Sequence, residues 1–409
     1  MVKRNPHVAK LHAGYLFPEI IRRKHEFIKK NPQARLISLG IGDTTQPLPE
    51  QIANSLAQTA QELGTLAGYR GYGPEEGEAD LRHLLSTKFY GSKIEQDEIF
   101  ISDGTNCDIG RLQVLFGSQV RVAVQDPSYP VYVDTGVVLG QSSHYNAKAK
   151  GYQGFVYMPC APENDFFPSL ANTPPVDLIY FCSPNNPTGA AATTEQLTQL
   201  VEFAKSHNAI IIYDSAYAAY IRDQNIPKSI YQIPGAREVA IELGSFSKMA
   251  GFTGIRLGWS VVPKELCFED KSSVHRDWMR VHTTFFNGAS NIAQAGGMAV
   301  LQPKNQPYIQ GIIDIYMEHV SMLHSTFKEF GYQVYGGINA PYLWVKFPNM
   351  SSWDAFDMLL EKAHIICAPG SGFGPAGEGF LRFSAFALRP QIKEAIERLH
   401  CCLKSRNHS

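Results

Sequence analysis

The feature that most constrains how this chain can fold is a series of short, mostly apolar runs, each stopped by polar residues. Val120–Val124 ends at Asp126-Pro127, and Val176–Cys182 at Ser183-Pro184. Ala209–Tyr213 ends in Asp214, and Val239–Leu243 leads into Gly244-Ser245-Phe246-Ser247-Lys248. Runs this continuous suit strands covered on both faces. The segments between them carry helix signals. Thr193-x-x-Gln196 is a capping-box pattern. Leu197, Leu200, Val201 and Ala204 follow at helical spacing, and Asn208 is a plausible stop. Thr105–Phe116 reads as a helix before Gly117, and Pro49 in a first turn opens another that Gly64 closes. Alternating strands and helices predict an α/β fold, a mostly parallel sheet of seven-stranded type sandwiched by helices, with right-handed crossovers.

The C-terminal third has a different texture. A helix is expected over Trp353–His364, then a Gly-rich bend at Gly370–Gly379, a strand over Phe380–Phe386, and a last helix from about Pro390. The expected organisation is an N-terminal arm (1–45) packing with a smaller α+β domain (301–409), around a large domain (46–300).

Composition removes several classes of function. The 409 residues carry 37 Lys+Arg against 38 Asp+Glu, without the basic excess of a nucleic-acid scaffold. Seven cysteines show no C-x-x-C pair, and H-E-x-x-H is absent, so the thiols read as reduced and no metal is expected. The start of the chain lacks the continuous apolar segment of a secretory signal, and no run approaches the ~20 residues of a membrane span. A cytoplasmic protein without membrane or nucleic-acid partners is expected. Gly71-Tyr72-Gly73-Pro74-Glu75-Glu76-Gly77 has the wrong spacing for a dinucleotide loop, and no buried strand precedes it.

What remains is positional. In open α/β sheets, ligands bind beyond the carboxyl ends of the strands. Asn186, Asp214 and Lys248 follow three such ends and could converge although distant in sequence. A lysine that loses its proton by desolvation is a nucleophile for an aldehyde and forms a Schiff base. Pyridoxal phosphate is the cofactor that uses this chemistry, and its ring nitrogen wants an anionic partner, which Asp214 could supply. Ser245, Ser247 and Arg256 offer donors and a cation for a phosphate, and the helix opening at Gly104-Thr105-Asn106 offers N–H groups.

Four motifs in order make the pattern specific: Ser183-Pro184-Asn185-Asn186-Pro187-Thr188-Gly189, Tyr213-Asp214-Ser215-Ala216-Tyr217, Ser245-Phe246-Ser247-Lys248, and Gly254-Ile255-Arg256-Leu257-Gly258. Together they resemble the signature of fold-type I, class I/II aminotransferases over nearly the whole chain. The resemblance implies that Lys248 carries pyridoxal phosphate and shuttles the substrate's proton, and that Asp214 holds the pyridinium charge. It implies that Asn186 and Tyr217 bond the phenolic oxygen, and that Tyr132 stacks on the ring. Ser245, Ser247, Arg256, Thr105 and Asn106 would hold the phosphate, with Tyr72 reaching that of a neighbouring subunit. Arg382 would clamp the substrate α-carboxylate.

Tyr15-Leu16-Phe17-Pro18-Glu19-Ile20, Gly40-Ile41-Gly42-Asp43, Tyr69-Arg70-Gly71-Tyr72-Gly73, Asp126-Pro127-Ser128-Tyr129-Pro130-Val131-Tyr132 and Phe286-Asn287-Gly288 further resemble the LL-diaminopimelate aminotransferases. That implies a homodimer moving an amino group between glutamate and tetrahydrodipicolinate, giving LL-diaminopimelate and 2-oxoglutarate, for lysine and peptidoglycan synthesis. Tyr15, Gly42, Glu75, Tyr132, Asn186, Asn287 and Arg382 would contact substrate, some across the dimer interface. One departure stands out: the family usually has Lys where this chain has Asn106, so phosphate binding leans on Arg256 and the helix terminus. Other readings are an aspartate, aromatic or broader-specificity aminotransferase, a carbon–sulfur lyase of the same fold, and a non-catalytic cofactor-binding regulator.

Overall fold

The computed structural model describes residues 1–11 and 16–404. Tyr15 therefore lies outside the described residues. A seven-stranded sheet forms the centre: β1 (Ile99–Ser102), β2 (Val122–Asp126), β3 (Phe155–Pro159), β4 (Leu178–Cys182), β5 (Ile210–Asp214), β6 (Ala240–Ser245) and β7 (Gly258–Val261). Across the sheet the order is β1-β7-β6-β5-β4-β2-β3. Only β7 runs antiparallel to its neighbours, β6 and β1. The pairs β6–β5, β5–β4, β4–β2 and β2–β3 are all parallel.

Alternation explains the continuous apolar runs. Ile179 faces one core, while Leu178 and Tyr180 face the other; Ala123 likewise opposes Val122 and Val124. With both faces buried, successive residues feed different cores, so the run is apolar at nearly every position. The strands run farther than the apolar runs suggest. Residues Val122–Asp126 and Ala240–Ser245 take buried Gln125, Asp126, Glu242 and Ser245 into the sheet. Gln125 Oε1 accepts the Cys182 N–H at 2.7 Å, so this polar group closes a backbone bond between strands. Three strands lacked a legible run: β1, β3 and the antiparallel β7.

The helix expected after Thr193 spans Thr194–His207, with the Thr193 side chain accepting the Gln196 N–H and Asn208 closing it in the left-handed region. Thr105–Phe116 is a helix with Gly117 as its cap. The Pro49 reading needs correction: the helix is Glu50–Glu62, and Pro49 is its N-cap at ψ 140°, just outside the first turn. Gly64 follows one residue beyond the Leu63 cap.

A four-stranded antiparallel sheet is built by β8 (Gln333–Gly336), β9 (Tyr342–Lys346), β10 (Ala368–Pro369) and β11 (Phe380–Ser384), in the order β8-β9-β11-β10. Helices Ser352–Ala363 and Arg389–Lys404 accompany it. Ile37–Ser38 pairs in parallel with Ile365–Ile366, which ties the N-terminal segment to this part of the chain. The same N-terminal stretch thereby brings Gly40–Asp43 over the edge of the large sheet. Among the described residues no helix is long and apolar enough to cross a membrane.

Capping gives a direct check on local stability. Thr193→Ala removes an N-cap hydrogen bond and should lower unfolding stability by about 1 kcal/mol, read as a lower urea midpoint with unchanged slope. A midpoint equal to that of the parent chain would show that the box contributes nothing here.

Candidate functional site

Six strands deliver side chains to one edge of the large sheet. Four are parallel strands or β1, whose carboxyl ends carry Thr105-Asn106, Tyr132, Asn186, and the Asp214–Tyr217 turn. The segment after β6 adds Ser245, Ser247 and Lys248. Because β7 runs the other way, its beginning lies at this edge, and Arg256 arrives just before Gly258. Arg382 comes from β11 of the small sheet, and Gly42 from the N-terminal stretch. These residues line a single cavity of about 430 Å³, within the range of small-ligand sites.

The floor is anionic. Asp214 is buried, and burial pushes its carboxyl upward from the ordinary carboxylate range. Its partners are neutral: the Ala216 N–H donates at 3.0 Å and the Tyr132 hydroxyl at 2.8 Å. Tyr132 is held in turn by stacking on Tyr180, centroids 5.0 Å apart and 14° between planes. A group that brings positive charge to Asp214 therefore has to come from a ligand.

The opposite wall is cationic. Arg382 is 1% exposed, an unusual burial for a guanidinium. One terminal nitrogen donates to Asn186 Oδ1 at 2.5 Å and the other to the Gly40 carbonyl at 2.6 Å, while Nε has no hydrogen-bond partner among the described residues. Its carbon lies 4.5 Å from the Tyr342 ring centroid and 4.8 Å from that of Phe373. Buried, planar and met only by neutral acceptors, it suits a carboxylate taken bidentately.

Lys248 lines the same cavity. Burial is the main cause that lowers its amine from 10.5 to about 8; Asp43 opposes the shift, and Arg382 and Arg256 add to it. Nζ donates to the Gly42 carbonyl and lies 5.7 Å from the Phe386 ring centroid. An amine poised near 8 is partly neutral at physiological pH, as a nucleophile or a proton carrier requires.

The third corner suits a phosphate. Gly104 caps the helix Thr105–Phe116 at φ +119°, and a Cβ there would stand 2.6 Å from the Arg256 guanidinium. Glycine thus lets the helix N-terminus and Arg256 share one small space, with Ser245 and Ser247 beside it. Arg256 reaches Ser247 Oγ at 3.5 Å and the Thr253 carbonyl at 3.0 Å. Asn106, neutral where the resemblance expects Lys, accepts the Tyr129 hydroxyl at 3.2 Å. Tyr217 meets the Tyr342 hydroxyl at 2.7 Å.

So Gly42, Thr105, Asn106, Tyr132, Asn186, Asp214, Tyr217, Ser245, Ser247, Lys248, Arg256 and Arg382 are brought together. Tyr72, Glu75 and Asn287 are not. Tyr72 is 87% exposed, and Glu75 and Asn287 are exposed as well. They share one surface patch outside the cavity, where Asn291 Nδ2 donates to the Gly71 carbonyl and His282 bonds the Glu75 carbonyl at 3.2 Å. Sequence reasoning missed Tyr342, Tyr129 and Asp43, all of which line the cavity. Tyr129 and Asp43 lie inside quoted motifs, whereas Tyr342 lies on a strand with no motif of its own.

The Lys248 environment has a measurable consequence. In cofactor-free protein, mass-spectrometric labelling with an acylating reagent should give Lys248 a titration midpoint near pH 8, well below exposed lysines near 10.4. A midpoint with the exposed lysines would overturn this account of its surroundings.

A profile described as aminotransferase class I and II matches residues 34–399. The chain is 58% identical over 405 residues to an LL-diaminopimelate aminotransferase of Protochlamydia amoebophila, covering 99% of this chain and 98% of that one. It is 56% identical over 398 residues to the chloroplastic LL-diaminopimelate aminotransferase of Arabidopsis thaliana, covering 97% and 86%. The solved L,L-diaminopimelate aminotransferase of Chlamydomonas reinhardtii superposes with a TM-score of 0.94 at 56% identity, covering 98% of each chain. With matches of this extent, the chain belongs to the class I and II aminotransferase family.

Proposed function

We propose that this protein is a pyridoxal-phosphate-dependent aminotransferase that moves an amino group reversibly between glutamate and tetrahydrodipicolinate, forming LL-diaminopimelate and 2-oxoglutarate. The observation that carries the reaction class is the pair of buried charges with neutral partners, Asp214 and Arg382, in one cavity with a lysine shifted to about 8. The substrate assignment is supported by the relatives that share 56–58% of their residues over nearly the whole chain.

The donor set suits the cofactor group by group. Arg256, Ser245, Ser247 and the helix N-terminus at Thr105 would hold its phosphate, and Asp214 would hold the proton of its ring nitrogen. Asn186 spends its amide oxygen on Arg382, so its amide N–H groups remain for the phenolic oxygen, together with Tyr217. When bound, the cofactor supplies an electron sink that delocalises negative charge from the substrate α-carbon.

The chain's own residues then do the rest. Arg382 orients the amino acid by its α-carboxylate. Lys248 Nζ removes the α-proton and returns it at the far side of the transfer, a role that its lowered proton affinity suits. Tyr132 keeps the Asp214 carboxylate aimed and ionised by donating to it. The surface patch of Tyr72, Glu75 and Asn287 fits a homodimer in which each subunit completes the site of its partner. Glu75 and Asn287 would there read the distal ammonium and carboxylate of a long substrate.

A substrate panel tests the whole reading. With cofactor and 2-oxoglutarate supplied, glutamate formation from LL-diaminopimelate should exceed that from aspartate or phenylalanine by about 100-fold or more in kcat/KM. Equal turnover of aspartate or phenylalanine would favour the broader-specificity alternative. Within the site, Asp214→Ala should slow single-turnover transamination by about 100- to 1,000-fold, the scale of a lost preorganised charge. A near-normal single turnover would remove Asp214 from the mechanism.

A further inference from the structure

Tyr342 begins β9 and carries no motif, yet it touches three parts of the site at once. In the β9–β11 ladder Tyr342 stands opposite Ser384, and Trp344 opposite Arg382. Residues two apart share a face of a strand, so Tyr342 and Arg382 emerge together as diagonal neighbours. The guanidinium carbon lies 4.5 Å from the Tyr342 ring centroid. The phenol meets the Tyr217 hydroxyl at 2.7 Å, with the rings 5.2 Å apart and inclined at 68°. A Cβ on Gly42 would overlap this same hydroxyl, and the Gly42 carbonyl accepts from Lys248. The side chain is 1% exposed and lines the cavity.

Two phenols at hydrogen-bond distance share a single proton, so one must donate and the other accept. Under the function proposed above, Tyr217 donates its own proton to the cofactor's phenolic oxygen and can offer Tyr342 only a lone pair. Tyr342 is then the donor, and a phenol that accepts a bond becomes a stronger donor itself. Its ring meanwhile holds the guanidinium in place by a cation–π contact.

We propose that Tyr342 is a positioning residue that couples the two halves of the site, its hydroxyl tuning Tyr217 and its ring orienting Arg382. This also gives Gly42 a reason to lack a side chain, since the hydroxyl occupies the space a Cβ would need.

The inference rests on the proposed function, and two variants of the holoenzyme separate its parts. Tyr342→Phe keeps the ring and deletes the hydroxyl; Tyr342→Leu deletes both. The first readout is the pH midpoint of the bound cofactor's absorbance change without substrate. The second is competitive inhibition by glutarate, a dicarboxylate with nothing to transfer. A weaker Tyr217 donor leaves more negative charge on the cofactor oxygen, which holds a nearby proton more tightly. Tyr342→Phe should therefore raise the midpoint by about half a pH unit and lower kcat by about fivefold. It should leave the glutarate constant and the KM for glutamate within about twofold of the parent values, because the cation–π contact survives. Tyr342→Leu should raise the midpoint similarly and weaken glutarate by about fivefold or more.

An unshifted midpoint in Tyr342→Phe would overturn the proposal, as would a loss of glutarate binding equal to that of Tyr342→Leu. Should Tyr342→Leu fail to fold, the midpoint and glutarate constant of Tyr342→Phe decide alone. A parent protein that takes up no cofactor would instead refute the underlying function, and the inference with it.

Discussion

A charge buried among neutral partners is the constraint on which the rest of this molecule depends. Taking an ionised group out of water costs several kcal/mol even after the protein relaxes. Hydrogen bonds from neutral donors offset part of that, and a counter-charge offsets more. Among the described residues Asp214 and Arg382 have only neutral partners, whereas some buried charges elsewhere are paired. Glu98, fully buried, meets Arg237 at 2.7 Å, and buried Asp108 meets Arg111 at 3.1 Å. Buried Glu242 and Asp126 are also met by neutral donors, but neither lines the cavity, whereas Asp214 and Arg382 both do.

The architecture explains why such groups can be held still. Asp214 ends a strand whose two faces are packed against separate cores, and Arg382 lies in the middle of β11, so the backbone at both is held by a ladder on either side. The single antiparallel strand is as important as the parallel ones. By reversing direction, β7 presents its beginning where its neighbours present their ends, and so puts Arg256 beside the helix that opens at Thr105. The second sheet then supplies Arg382 and Tyr342 from outside. A site of this kind needs two sheets and the N-terminal stretch to meet, and the pairing of Ile37–Ser38 with Ile365–Ile366 fixes that meeting.

Much of this was legible in the sequence, for identifiable reasons. Parallel strands buried on both faces leave continuous apolar runs, and β2, β4, β5 and β6 were visible that way. The strand β7 was not, because four residues containing Gly258 and Ser260 carry too little pattern. Polar residues such as Asp126 and Ser245 were legible only as following the runs; that they continue the ladder depends on partners far along the chain. Local signals such as the Thr193 capping box carried over intact, since both of its hydrogen bonds lie within four residues. Tyr342 shows the opposite case. Its importance comes from contacts with Gly42, Tyr217 and Arg382, none near it in sequence except through the small sheet.

The electrostatics of the cavity also couple its corners. Arg256 and Arg382 both depress the proton affinity of Lys248, and Asp43 raises it. An anion bound at either guanidinium cancels part of the positive potential at Nζ, because opposite charges a few ångströms apart screen each other's field in a poorly hydrated site. Under the proposed function, a phosphate at Arg256 and a carboxylate at Arg382 would therefore each favour the protonated amine. Seating of the substrate carboxylate at Arg382 would thus, under that function, be felt at Nζ, which links recognition at β11 to chemistry at the end of β6.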